Sequence, residues 1–80
     1  MHRFQIDASA EPQSCLRVMG HFAQRHITPI AAEMRLDGDR MRIDVEARDL
    51  PPGQAALIAA KLRETVAVIG VELDHRPPPA

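Results

Sequence analysis

Two runs of alternating apolar and polar residues, separated by Asp37-Gly38, constrain this chain more than any other feature. Ile30, Ala32, Met34 and Leu36 alternate with Ala31, Glu33 and Arg35, and the alternation resumes from Arg40 to Arg48. A period of two is that of a strand with one apolar face, and Asp-Gly between two such runs is a strong hairpin signal. With Asp37 and Gly38 as the two-residue loop, Met34 faces Met41, Ala32 faces Ile43, Ile30 faces Val45, and Glu33 meets Arg42. A four-residue loop would set Glu33 against Asp44, like charge against like, so the shorter loop is expected.

The hairpin is flanked by two similar units. From His2 to Ala8 the residues alternate, with His2, Phe4, Ile6 and Ala8 on one face and Arg3, Gln5 and Asp7 on the other. Ser9 is placed to cap a helix that has Pro12 in its first turn. In it Cys15, Val18, Met19, Phe22 and His26 form an apolar stripe ending near His26. Gly20 lies inside this helix and is expected where the helix packs closely on a sheet. Leu50-Pro51-Pro52-Gly53 ends the hairpin and opens a second helix, with Ala55, Ile58, Ala59, Leu62 and Val66 buried and Lys61, Arg63 and Glu64 toward water. A last strand runs from Val68 to Asp74, with Ile69, Val71 and Leu73 inward and Glu72 and Asp74 outward. The order βαββαβ predicts an α+β, ferredoxin-like sandwich. Its four-stranded antiparallel sheet is expected in the order 4-1-3-2, with two helices on one face. One domain over residues 1–76 and a disordered Pro-rich tail over 77–80 are expected.

Charge and aromatic content exclude several functions for such a sandwich. Ten Lys+Arg against eleven Asp+Glu give a formal net charge of −1, with Lys61 the sole lysine. That removes the basic field nucleic-acid binding normally uses. With two Phe, no Trp and no Tyr, there is no platform for stacking bases. The single cysteine, Cys15, cannot form an internal disulfide, which suits a reducing, cytoplasmic setting. No signal peptide or membrane span is read at the N-terminus. The glycines are too scattered for a phosphate loop, and His21 and His26 are too poorly spaced for a shared metal site. Cys15 reads as a small core residue rather than a nucleophile. Ser9 to Gln13 supplies Glu11 where an acylphosphate hydrolase would need an arginine and anion-binding amides. Neither catalytic residues nor a metal or other cofactor is expected.

The stretch from Pro12 to His26, PQSCLRVMGHFAQRH, resembles the first loop and helix of ACT domains, whose familiar form is D-R-P-G-x-L-x-R-V-x-G-L-F-A-R-R. The run from Arg17 to Arg25 carries the likeness, and the order of elements extends it over nearly the whole chain. Within that family the chain is most similar to the small regulatory subunit of acetolactate synthase, some members of which are single ACT domains.

The resemblance implies a non-catalytic regulatory subunit that binds a small amino acid between two copies and modulates the catalytic subunit of an amino-acid biosynthetic enzyme. Carried over by position, the effector residues are Ala10, Gln13, Ser14, Thr28, Pro29 and Ile30. Ala10 stands where the family writes Asp, Gln13 where it writes Gly, and Thr28 where it writes Asn. Gln13 adds bulk where a ligand would approach the backbone, and Thr28 lacks the paired donor and acceptor of an amide. A constitutive scaffold, or a stand-alone module that recruits an unrelated enzyme, is the alternative. A homodimer through the second strand is expected, since pairing its exposed edge with a second copy gives one eight-stranded sheet. Ala31, Glu33 and Arg35 would line that interface.

Overall fold

The computed structural model describes residues 1–75, so the expected tail over 77–80 lies outside the described residues. Six elements follow the expected order: β1 (His2–Ser9), α1 (Pro12–Ala23), β2 (Ala31–Asp37), β3 (Arg40–Ala47), α2 (Pro52–Arg63) and β4 (Val68–His75). They build one antiparallel sheet in the order β2-β3-β1-β4. The inward residues of β1 and β3 are buried as their alternation requires, and Val18 and Phe22 of α1 share a single core with Ala55, Ile58, Ala59 and Leu62 of α2. Both helices therefore cover the same face. Phe4 and Phe22 meet edge to face at 5.1 Å between ring centroids, the arrangement their quadrupoles favour.

The hairpin register departs from expectation by two residues. Ala32 faces Val45, Met34 faces Ile43, Leu36 faces Met41, Arg35 faces Arg42, and Glu33 faces Asp44. Asp37 pairs with Arg40, so the two-residue loop is Gly38-Asp39 rather than Asp37-Gly38. Gly38 takes a φ of +64° at the first loop position, which the right-handed twist of a tight hairpin favours and a glycine adopts without strain. An even slip leaves every side chain on its expected face. The like-charge oppositions are relieved by neighbours outside the facing pairs. Asp44 lies 3.5 Å from both Arg3 on β1 and Arg42 on β3, Arg42 also reaches Asp7, and Arg35 pairs with Glu33 along its own strand at 3.3 Å.

Other local expectations are corrected. α1 stops at Ala23, three residues before His26. That residue is exposed, with a left-handed φ of 56°, so it belongs to the turn rather than the apolar stripe. Glu11, not Ser9, holds the N-cap position; the Ser9 carbonyl instead accepts the Ser14 hydroxyl at 2.8 Å. Val66 lies beyond α2 and is exposed. In β4, Asp7 pairs with Gly70 and Ala8 with Val68, leaving Ile69 as the extra residue of a bulge. The bulge reverses parity, so Ile69 is exposed while Val68 packs on the core.

Gly20 is not held by close packing either. A Cβ built there meets nothing within 4 Å. Gly20→Ala is therefore expected to stabilise the domain by roughly 0.5–1 kcal/mol, because alanine restricts the unfolded chain and suits a helix interior. A melting temperature at or below that of the parent would show a contact that the open space does not predict.

Candidate functional site

β1 delivers the chain to the first loop, and Pro12, with no N–H to leave unpaired, starts α1 there. Ala10 is exposed and its N–H is donated to the Asp39 carbonyl of the hairpin at 3.0 Å, which fixes the loop beside the C-terminal end of β2. Gln13 is exposed, and its Oε1 accepts from Arg17 at 2.8 Å, one helical turn on. Ser14 is buried and donates its hydroxyl to Ser9. The Gln13 and Ser14 side chains thus both have internal partners.

Thr28, Pro29 and Ile30 lie elsewhere. The Ile30 N–H is donated to the Glu46 carbonyl at 2.9 Å, and Glu46 pairs with Arg3 at the start of β1. The first loop instead follows Ser9, which pairs with Arg40 at the far end of the same ladder. Six residues of strand separate these levels, about 20 Å at the usual rise. One protomer does not bring the expected effector residues together.

Between the two groups runs an apolar surface that the alternation alone concealed. All of β2 is exposed, because the helices cover the sheet only as far as β3 on that side. Cys15 and Met19 of α1, Ala32 and Met34 of β2, and Ile43 of β3 line a groove of about 160 Å³. Exposed Leu16, next to Cys15 on α1, and exposed Leu36, farther along the apolar side of β2, extend the apolar surface of these two elements. Cys15 is half-buried here rather than enclosed in the core. The pattern of β2 reads as a buried face in sequence; that no described element covers it depends on helix placement.

Ala31, Glu33 and Arg35 lie on the opposite, charged side of β2, at the unpaired edge of the sheet. The Glu33 and Arg35 side chains are largely exposed and pair with each other. No described helix is long and apolar enough to cross a membrane.

A family model for an ACT-like domain matches residues 1–80. Among solved structures, the chain is similar to the ACT domain from GTP pyrophosphokinase of Chlorobium tepidum, with a TM-score of 0.79, 10% identity, and coverage of 99% of this chain and 90% of that one. It is also similar to a formyltetrahydrofolate deformylase from Pseudomonas putida KT2440, with a TM-score of 0.69 and 20% identity over 95% of this chain and 30% of that one. The C-terminal domain of the MgtC protein from Mycobacterium tuberculosis gives a TM-score of 0.69 and 16% identity over 91% of this chain and 83% of that one. At these identities the likeness is one of fold. No curated protein matches the chain.

Proposed function

The chain belongs to the ACT-like domain family, and from that premise we propose that it is a regulatory ligand-binding module that works as a two-fold pair through β2. The observation that carries this reading is the division of the effector residues between opposite ends of one protomer, beside an unpaired edge strand with an uncovered apolar face. Antiparallel pairing of β2 with its copy brings the start of one β2 level with the end of the other. Thr28, Pro29 and Ile30 of one protomer then approach Ala10, Gln13 and Ser14 of its partner. Centring the pair on Met34 sets Glu33 opposite Arg35 of the copy, with Ala31 farther along the same edge.

An amino acid bound across that junction would bias the arrangement of the pair, and through it a catalytic partner. In this reading the chemistry belongs to the partner, an enzyme of amino-acid metabolism. Its finer assignment to acetolactate synthase, and so to branched-chain amino-acid biosynthesis, rests on the likeness of the Arg17 to Arg25 run. The single half-buried Cys15 fits a cytoplasmic setting.

A second reading, a pair that holds its partner enzyme without any effector, is favoured by the internal bonds of Gln13 and Ser14. Melting the protein in the presence of each of the twenty amino acids separates the two. A ligand that binds only the folded pair at a hundred times its dissociation constant adds about 2.7 kcal/mol, a shift of many degrees for a domain this size. The effector reading expects such a shift with one or a few amino acids, reduced by Thr28→Ala. No shift at millimolar ligand leaves the effector-free pair.

A further inference from the structure

His21 lies near the end of α1 away from the effector loop. Its Nε2 is 2.7 Å from Oγ1 of Thr65, just past the end of α2. Thr65 has one hydroxyl proton, donated to the Lys61 carbonyl at 2.9 Å. The Thr65 oxygen can therefore only accept, and Nε2 of His21 must carry the hydrogen between them. This fixes the tautomer: Nδ1 is the unprotonated nitrogen of the neutral ring. Nδ1 is enclosed and has no hydrogen-bond partner among the described residues.

That arrangement suits the neutral imidazole and opposes the charged one. A second proton on Nδ1 would create an enclosed, charged N–H with no acceptor. Among the described residues, the charged groups acting on the ring are both cations. Arg25 follows α1, with Nη1 donating to the His21 carbonyl at 2.8 Å, and Lys61 is on α2. From this geometry we infer that His21 is a proton-sensitive latch between α1 and α2, closed by the neutral ring and released when the ring takes up a proton.

Burial first, then Arg25 and Lys61, hold the His21 pKa below the ordinary value of 6.5. About one unit or more above pH 6.5 the ring is neutral whether the latch is open or closed, and its contribution is present in full. Below that pH the released ring binds the proton first, so the closed form loses ground until the lower pKa of the closed form is passed. Beyond that point the loss levels off. Because α1 carries Gln13 and Ser14 at its other end, the latch acts on the helix that positions the effector loop.

Nitrogen-15 shifts of the His21 ring at pH 7.5 read the tautomer, and amide hydrogen exchange at pH 7.5 and 5.5, corrected for intrinsic rates, reads the latch. The expected results are a proton on Nε2 and opening of the last turns of α1 and α2 that is more frequent at pH 5.5, by at most about tenfold. His21→Gln keeps a neutral N–H donor without the titration and should abolish that pH dependence. Thr65→Val removes the acceptor and should raise opening at both pH values. A proton on Nδ1 in the neutral ring overturns the inference, as does a His21→Gln variant whose exchange keeps the full pH dependence.

Discussion

Phe22→Ala is expected to destabilise the domain by about 3–5 kcal/mol, the usual cost of emptying a fully buried aromatic site. Phe22 is completely enclosed and joins α1 to the sheet through its edge-to-face contact with Phe4. Small domains have roughly 5–15 kcal/mol to lose, so the variant should be partly unfolded near body temperature. Each kcal/mol lowers the melting temperature by about 4–8 °C at this size, a drop easily read by circular dichroism. Phe22→Leu, which keeps most of the volume, should lose visibly less. A Phe22→Ala variant melting within about 5 °C of the parent would mean that α1 is not anchored through this ring.

In the proposed pairing through β2, Met34→Asp should leave the fold intact and convert the dimer to a monomer. Met34 is 52% exposed in the single protomer, so a carboxylate there remains hydrated and costs the isolated domain little. The proposed pairing brings the apolar sides of two β2 strands together at this position, where a charge left unpaired opposes assembly. A loss of about 2 kcal/mol, at the threshold for an important interface residue, weakens association roughly thirtyfold. Sedimentation at micromolar concentration reads both states. A parent protein that sediments as a monomer would remove the basis of the proposed pairing. A Met34→Asp variant that remains dimeric would move the interface away from β2.

These two residues mark what was legible in advance. Phe22 falls on a helical stripe with Val18, and Phe4 on a strict alternation; burying both follows from periods that any packed helix and sheet must respect. Met34 also lies in a clean alternation, yet it is exposed, because a period states which face is apolar and not whether another element reaches that far across the sheet. Ile69 was misread for a related reason. A bulge reverses parity, and its signal is a pairing between distant strands. In the hairpin the local charge rule pointed to the wrong register. Opposing Glu33 to Arg42 is favourable within two strands alone, whereas in the full sheet Arg3 and Asp7 of β1 supply the opposite charges.

The expected effector residues divide in the same way. Their positions along the chain came from the likeness of the first helix, but their distance apart is a property of the ladder. Ser9 and Arg3 are neighbours in sequence on the scale of the whole chain, and the extended strand places them at opposite ends of the sheet. The His21 to Thr65 bond had no sequence signal, since it joins two residues 44 positions apart, one near the end of α1 and one just past the end of α2.

By itself the sequence determined the elements, their order, which face of each is apolar and hence the sandwich, because periodicity, proline placement and turn chemistry are local and repeat over many residues. Only the tertiary structure decided the register of β2, the parity of β4, the uncovered edge and the tautomer of His21. Each of these depends on which groups from distant segments meet, and a pattern read along one chain does not contain that choice.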